Sequence, residues 1–243
     1  MQQHEGRDIE KPSLAAPRVA CAVAPGSLAA TLAGAFRALL DILASAEGGS
    51  GLAPFLDEWP KALQMREVAP SGELPVLRCL PAVLTARIDD IAPGACSPAL
   101  AACARVLTAA AAAAQTLCWR QTYTAREVCG ALLANYAWTE ILGCSGPIAA
   151  PRIASGLLLL GPQTLYPRHS HLAEEIYVPL SGTAEWQRGD HTWRARRPAT
   201  LIYHRSEEMH AMRTAAEPLL ALYVWRATDA AGADLGSSAR LET

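Results

Sequence analysis

The 243-residue sequence lacks the features that mark several classes of protein. Its net charge is −2, so no basic surplus supports binding to nucleic acid or to an acidic membrane surface. The seven cysteines include no CxxC pair, so neither a zinc ribbon nor a disulfide framework is indicated. We therefore expect reduced, buried thiols and a cytoplasmic protein.

Strongly hydrophobic segments are also missing. Residues 1–17 are polar and charged, with no apolar segment of the kind found in signal peptides, so we expect no secretory signal. The longest apolar run, residues 99–119, is mostly alanine and is interrupted by Arg105, which makes it too weakly hydrophobic for a convincing membrane span. With 51% hydrophobic and 18% charged residues, the chain is expected to bury a sizeable core, as one large domain or one domain with a helical extension.

Histidine is scarce outside one short region. The chain has six histidines, and five of them lie between His169 and His210. The sixth is His4, in residues 1–26, a segment with three prolines that we predict to be an irregular arm. The clustering places the chemistry in the second half of the chain. We expect the first half to cover the mouth of the second domain or to build a dimer interface.

Residues 27–146 are predicted to form a helical region. Apolar residues at helical spacing predict a helix from Ser27, which can cap it, to about Ala46. Ser97-Pro98 predicts the start of an alanine-rich helix that ends near Arg120. Thr124–Glu127 fits a capping box and Gly143 fits a C-cap, which predicts a helix over 125–142, antiparallel to the preceding one.

From Pro147 the pattern changes to short apolar runs separated by turn residues. Short antiparallel strands at this spacing predict a small barrel or jelly roll over 147–228, followed by a mobile tail over 229–243. The predicted strands cover residues 153–160, the stretch from 165 to the turn at Ser181-Gly182, and residues 183–188, 191–196, 199–204, 209–214 and 219–225.

The stretch from Leu165 to Gly182 carries the chemistry. In an extended chain, residues two apart share one face, so His169, His171, Glu175 and Tyr177 would project together. Two neutral imidazoles and a carboxylate suit one divalent transition metal such as zinc, iron, manganese or nickel.

The order His169-x-His171-x-x-x-Glu175-x6-Gly182 resembles the first metal-binding motif of the cupins. A second cupin motif contributes one more histidine from a later strand, and His210 is the match here, although the usual Pro-x-Gly before it is missing.

Further residues make the resemblance narrower. Tyr166-Pro167, Ala-Glu-Glu-Ile-Tyr at 173–177, and the segments 204–212 and 218–225 are together similar to the cupin-type dimethylsulfoniopropionate lyases. The resemblance covers roughly residues 150–228, and a helical extension before the barrel is also similar to that family.

This resemblance implies an α+β fold: a C-terminal cupin β-barrel (a double-stranded β-helix or jelly roll) preceded by a helical N-terminal region. It implies a β-elimination that converts dimethylsulfoniopropionate to acrylate, dimethyl sulfide and a proton. Tyr177 matches the catalytic tyrosine, and Tyr166 and Trp225 match residues that line the substrate pocket. The implied metal ligands are His169, His171, Glu175 and His210.

The chemistry of the residues agrees with that implication. A metal can bind the substrate carboxylate and stabilise the charge that forms as the proton leaves. A phenol with a pKa of about 10 in water becomes a usable base when an adjacent dication lowers that pKa, and Tyr177 is placed for this role. The rings of Trp225, Tyr166 or Tyr223 can hold the sulfonium by cation–π contacts of roughly 0.5–2 kcal/mol each. The expected partner is therefore a small-molecule substrate, and a homodimer is expected only by analogy with the family.

Other interpretations remain open at this stage. The chain is alternatively another metal-dependent cupin enzyme, such as an oxygenase or isomerase of a small carboxylate, or a non-catalytic small-molecule-binding cupin, because fold does not fix function. Tyr177 is alternatively a packing residue of the barrel. His204 fits either a partner that orients a metal ligand or a surface or structural histidine.

Overall fold

The computed structural model describes residues 25–46, 49–69, 72–85, 97–229, 232, 235 and 239–242. The predicted irregular arm therefore lies outside the described residues, except for its last two positions.

Two long helices dominate the N-terminal part. Five α-helices are described: α1 (Pro25–Ala44), α2 (Ala53–Asp57), α3 (Leu80–Leu84), α4 (Pro98–Ala113) and α5 (Gly130–Leu133). The backbone N–H of Leu100 donates to the Ser97 hydroxyl at 3.2 Å, so Ser97 caps α4 as predicted. Helix α4 ends earlier than predicted, in a 3₁₀ turn over Ala114–Thr116.

Helices α1 and α4 pack against each other and close one side of the core. By length and composition, Gly26–Ala44 and Pro98–Thr116 would be long and apolar enough to cross a membrane. Their apolar faces are buried inside the protein instead, with Phe36 and Val106 fully covered. Both helices therefore have the character of core helices of a folded domain.

The helix predicted over 125–142 is wrong. Thr124 and Glu127 do bond as a capping pair, with the Thr124 N–H and hydroxyl each donating to Glu127 Oε2 at 2.8 Å, but the pair closes only a turn. Helix α5 spans a single turn, and the chain then forms a strand from Tyr136 to Gly143. The aromatic and β-branched residues of this segment favour a strand once a neighbouring strand is available to pair with it.

Twelve strands are described: β1 (Trp119–Arg120), β2 (Tyr136–Gly143), β3 (Ile148–Ala149), β4 (Ile153–Leu160), β5 (Leu165–Ser170), β6 (Glu174–Ser181), β7 (Ala184–Arg188), β8 (Arg194–Arg196), β9 (Ile202–His204), β10 (His210–Thr214), β11 (Leu219–Arg226) and β12 (Arg240–Leu241). They form two sheets, one in the order β1-β2-β4-β11-β6-β9, with β3 beside β2, and one in the order β12-β5-β10-β7-β8. Within each of these orders neighbouring strands are antiparallel, and only the short β3 runs parallel to its partner.

The larger sheet is covered on both faces. Along β4, Leu157 and Leu159 pack against the helices, whereas Leu158 and Leu160 face the interior of the barrel. This explains why β4 reads as a continuous apolar run and not as an alternating one. Helices on one face and a second sheet on the other give the predicted α+β architecture, a barrel preceded by helices.

Three strands, β1, β2 and β12, extend the sheets beyond the predicted barrel range of 147–228. Strand β2 precedes that range and pairs with β4 along most of its length. Strand β12 falls in the predicted mobile tail, yet it pairs with β5, and Glu242 N–H donates to the Arg168 carbonyl at 2.9 Å.

The sequence pattern treats the stretch from Leu165 onward as extended. In the structure this stretch forms two separate strands. Strand β5 ends at Ser170 in the smaller sheet, and β6 begins at Glu174 in the larger sheet. The intervening turn is fixed because Glu207 N–H donates to the His171 carbonyl at 2.8 Å. A chain that crosses between sheets at a barrel corner must leave the strand conformation there.

Gly182, which closes the cupin-like motif, offers a test of this fold. Its φ is +79°, and a Cβ added there would lie 2.1 Å from the Pro218 carbonyl oxygen. Gly189 also has a positive φ of +52°, but a Cβ there would meet no atom within 4 Å. We expect Gly189→Ala to lower the free energy of unfolding by about 1–2 kcal/mol, from backbone conformation alone.

Gly182→Ala is expected to cost roughly 3 kcal/mol or more, because the clash with backbone adds to the conformational cost. Urea denaturation of both variants measures the difference. Equal losses in the two variants would contradict the tight packing of this turn.

Candidate metal centre and active-site cavity

Three histidines are oriented in the same way. The ring Nδ1 of each lies within hydrogen-bond distance of a carbonyl two residues away: His169 to Pro167 at 2.8 Å, His171 to Ala173 at 2.9 Å, and His210 to Glu208 at 2.8 Å. A carbonyl can only accept, so each Nδ1 carries the proton. In the neutral imidazole this leaves Nε2 as a bare acceptor, which is the arrangement that metal-binding histidines use.

Two of these histidines converge on one carboxylate. His171 Nε2 lies 3.0 Å and His210 Nε2 lies 3.2 Å from the same Oε2 of Glu175. All three side chains are buried, and their ligand atoms lie within 4.8 Å of one another. His210 Nε2 makes no hydrogen bond to any described residue. His171 Nε2 does lie within hydrogen-bond distance of the Glu175 oxygen. Two imidazole nitrogens converging on one buried carboxylate oxygen form a donor set that fits a divalent metal.

Glu175 is held in place from the other side. Trp225 Nε1 donates to its Oε1 at 2.5 Å, and the Trp225 ring lies 4.3 Å from the His171 ring between centroids. The indole therefore fixes one carboxylate oxygen and leaves the other for the histidines. The neighbouring Glu174 points away from the cluster and pairs with Arg226, as the alternation of a strand requires.

His169, the fourth predicted ligand, lies beside this group. Its ring centroid is 4.2 Å from that of His210 and 6.3 Å from that of His171. The structure thus brings three of the four predicted ligands together as one compact set, with His169 adjacent to it. Its role as a ligand stays a prediction.

His204 is a buried member of the site that the sequence did not resolve. Its ring stacks on His210 at 4.0 Å between centroids, and neither ring nitrogen has a hydrogen-bond partner among the described residues. Burial, followed by the proximity of His210, lowers its pKa to about 2. His204 is therefore a neutral ring that supports His210 and not the surface residue considered from sequence.

The electrostatics of the cluster follow from burial and charge. Burial favours the neutral form of Glu175, but His171 and His210 outweigh it and hold the pKa of this carboxyl well below its usual range. Burial lowers the pKa of His171, and the adjacent Glu175 more than reverses this, so that its pKa is raised. Burial, with His210 nearby, lowers the pKa of His169. Glu175 is thus a buried carboxylate that stays ionised.

A cavity of about 380 Å³ opens beside the cluster, and His169 and Glu175 form part of its wall. All four residues predicted to act on the substrate line it: Tyr166, Tyr177, Tyr223 and Trp225. Tyr166 is fixed by its hydroxyl, 3.1 Å from that of Tyr123, and by its ring, 4.2 Å from the His169 centroid.

Strand β2 supplies cavity residues that the sequence reasoning missed. Tyr136, Trp138 and Glu140 alternate along the strand and line the cavity together. The helix predicted over 125–142 includes all three, and on a helix residues two apart do not share a face. The period-two spacing of these side chains was the available signal, and the capping-box pattern just before it concealed that signal.

Comparison with known proteins agrees with this geometry. Residues 56–221 match the dimethylsulfoniopropionate lyase family. The dimethylsulfoniopropionate lyase DddQ of Ruegeria pomeroyi is 34% identical over 173 residues, which cover 68% of this chain and 85% of that protein. This chain belongs to the dimethylsulfoniopropionate lyase family. It is accordingly a carbon–sulfur lyase of the cupin type, as the sequence predicted.

Solved structures of the family have the same fold. A chain from the crystal structures of the lyases RdDddP and RnDddQII aligns with a TM-score of 0.69 at 26% identity, covering 90% of this lyase and all of that chain. The crystal structure of DddQ from Ruegeria pomeroyi aligns with a TM-score of 0.59 at 28% identity, covering 84% of this lyase and 95% of that chain. The cupin fold predicted from sequence is confirmed.

The contact between Trp225 and Glu175 leads to a prediction about metal binding by this lyase. Trp225→Phe keeps a ring beside His171 but removes the N–H donor to the carboxylate. We expect metal affinity to fall by roughly 10-fold or more, as for the loss of other partners of metal ligands. Competition with a chromophoric chelator measures this affinity.

Trp193→Phe is the matched control, because Trp193 packs under Arg213 and is not part of the cavity wall. Metal affinity that stays unchanged in Trp225→Phe would show that the indole does not position Glu175.

Proposed function

We propose that this lyase is metal-dependent and cleaves dimethylsulfoniopropionate to acrylate and dimethyl sulfide by β-elimination, with Tyr177 as the general base. One observation carries the proposal: Tyr177 and the carboxylate of the His–His–Glu cluster line the same cavity, whose wall is rich in aromatic residues. The family and its DddQ relative, whose names specify this substrate, support it.

In this proposal His171, Glu175 and His210 hold one divalent ion, with His169 as a fourth ligand beside them. Zinc, iron, manganese and nickel all accept these ligand types, so the residues present fit each of them. When bound, such an ion would bind the substrate carboxylate, stabilise the negative charge formed at Cα, and lower the pKa of a nearby phenol.

Tyr177 is placed to remove the Cα proton. It lines the cavity and is two residues from Glu175 on the same face of β6. Burial raises the pKa of Tyr177 well above its usual value, and the charge of Glu175 raises it further. A positive charge at the cluster is therefore a requirement of the base role, because the phenol must lose its proton before it can accept one.

The remaining aromatic residues enclose the rest of the substrate. Tyr166, Tyr223 and Trp225 present rings to the cavity, and ring faces attract a sulfonium cation. They also exclude water, which strengthens the charge interactions on which the elimination depends. The leaving dimethyl sulfide is neutral and apolar, so this wall suits the product as well as the cation.

The base role predicts a specific loss of activity. Tyr177→Phe removes the hydroxyl and keeps the ring, so we expect dimethyl sulfide release to fall by about 100-fold or more while metal content stays the same. Headspace gas chromatography measures the product. Tyr203→Phe is the matched control, because the Tyr203 hydroxyl donates to Glu174, which points away from the metal cluster.

Tyr203→Phe is expected to keep its rate within a few-fold of the unmodified lyase. If Tyr177→Phe releases dimethyl sulfide at the unmodified rate, another group is the base and the mechanism fails.

Metal dependence is tested separately. Dialysis against a strong chelator should abolish dimethyl sulfide release, because the carboxylate end of the substrate then has no partner in the cavity. Adding back zinc, iron, manganese or nickel one at a time should restore it, and the relative rates identify the effective ions. Full activity in protein shown by elemental analysis to be free of metal would refute the proposal.

A homodimer and a cytoplasmic location remain predictions from the sequence. Sedimentation velocity and cell fractionation are the measurements that decide them.

A further inference from the structure

The charged residues in the cavity wall are not balanced. Glu175 and Glu140 are the carboxylates among the described residues that line it, and no Lys or Arg is among them. Glu175 is engaged with two histidines and with Trp225. Glu140 has no such cationic partner, because the structure gives it no ion pair in the described part of the chain. The guanidiniums of Arg66 and Arg120 bind carbonyls of the turn that holds Glu140, but neither forms an ion pair with its carboxylate in the described part of the chain.

Hydrogen bonds from the turn after β2 hold the Glu140 side chain in place. Its Oε1 accepts from Ser145 N–H at 2.5 Å, from the Ser145 hydroxyl at 3.1 Å and from Gly146 N–H at 2.7 Å. These bonds tie one carboxylate oxygen to the turn after β2 and fix the direction of the other. A side chain held by three donors keeps its orientation without having to be ordered by the ligand.

The strand register places Glu140 in line with the proposed base. Across the larger sheet, Glu140 is opposite Gly156, Gly156 is opposite Tyr223, and Tyr223 is opposite Tyr177. Residues opposite each other on antiparallel strands share one face, so these side chains occupy one row along the cavity. Tyr177 stands at the metal end of the row and Glu140 at the far end. Burial raises the pKa of Tyr223 between them, and the charge of Glu140 raises it further.

Trp138 stands next to Glu140 on the same face of β2 and also lines the cavity. Its ring adds an aromatic wall beside the carboxylate. The guanidinium of Arg120 lies 6.0 Å from the Trp138 ring centroid and donates to the Ser145 carbonyl at 3.3 Å, outside the lining of the cavity. An aromatic face beside a fixed carboxylate is the pairing that recognises an onium cation.

We propose that Trp138 and Glu140 form a subsite for the cationic end of the substrate, at the end of the cavity opposite the metal cluster. This inference rests on the proposed function, in which a zwitterion binds with its carboxylate toward the cluster. The sulfonium then lies toward β2, where the Trp138 ring and the Glu140 carboxylate add to the aromatic wall formed by Tyr166, Tyr223 and Trp225. Glu140 gives the lyase its preference for a cation over an uncharged group of the same shape.

The test compares two ligands of nearly the same shape. Dimethylsulfoniopropionate carries a sulfonium, whereas 4-methylpentanoate has a neutral CH in its place. Equilibrium binding of both is measured by calorimetry in the metal-loaded Tyr177→Phe background, so that turnover does not consume the substrate. Glu140→Gln retains an Oε1 acceptor for the Ser145 and Gly146 donors and removes only the charge.

In Glu140→Gln we expect the Kd of dimethylsulfoniopropionate to rise roughly three- to tenfold, as for the loss of a partly screened charge pair. The Kd of 4-methylpentanoate should stay the same or fall. Equal weakening of both ligands would assign Glu140 a purely structural role and overturn the proposal, as would no change in either.

Two further variants complete the test. Glu185→Gln removes an equal charge on β7, where Glu185 pairs with Arg213, and should leave both Kd values unchanged. Trp138→Leu should weaken the sulfonium ligand several-fold more than its neutral analogue, even if Glu140→Gln proves unstable. Equal weakening in Trp138→Leu contradicts the subsite.

The result is separable from the proposed function. If the unmodified protein releases no dimethyl sulfide but still prefers the cation in a Glu140-dependent manner, the lyase mechanism fails and the subsite stands. If it releases dimethyl sulfide and shows no such dependence, the mechanism stands and the subsite fails.

Discussion

The site depends on one buried charge, the carboxylate of Glu175. Placing an ionised carboxylate inside a barrel costs several kcal/mol unless partners replace the lost water. Here Trp225 Nε1 donates a hydrogen bond to Oε1. The Nε2 atoms of His171 and His210 lie 3.0 Å and 3.2 Å from Oε2. Backbone carbonyls accept hydrogen bonds from Nδ1–H of both rings, and this orients Nε2 of each ring toward the carboxylate. A bound cation would complete this buried group, so burial of the acid and the proposed binding of a metal would answer the same electrostatic constraint.

That constraint explains why a two-sheet barrel is needed. Glu175 comes from β6 in the larger sheet, His210 from β10 in the smaller sheet, and His171 from the turn that joins β5 to β6. Each sheet alone carries only part of the ligand set. Closing the barrel over an apolar core brings the parts together, and the helices α1 and α4 support the outer face of the larger sheet. Hydrophobic burial, which has no directionality, thereby positions groups whose geometry must be exact to within a fraction of an ångström.

Much of this was predictable because the strongest signals are local. The spacing of His169, His171 and Glu175 indicated the site, and the apolar runs of β4 and β11 gave those strands their bounds almost to the residue. The prediction of a helix over 125–142 is wrong because it relied on a capping pair and a glycine. These are also local signals, and they occur in turns as well as at helix ends. Only pairing with β4, a long-range interaction, decides that this segment is a strand. The burial of His204 was likewise hidden, since it follows from stacking on His210 across the barrel and not from neighbours in sequence.

Strand β2, which the sequence wrongly predicted to be helical, also forms one end of the cavity. The cluster end is built by residues whose spacing is recognisable in the sequence, because metal ligands must keep fixed relations to one another. The β2 end is built by Trp138 and Glu140, which line the cavity but do not belong to the group of His171, Glu175 and His210. In the two proposals together, the chemistry is assigned to β6, β10 and the turn after β5, whereas selectivity for the cation is assigned to β2. With the subsite as proposed, substitutions on β2 would change which substrate is held while leaving the Glu175 cluster intact.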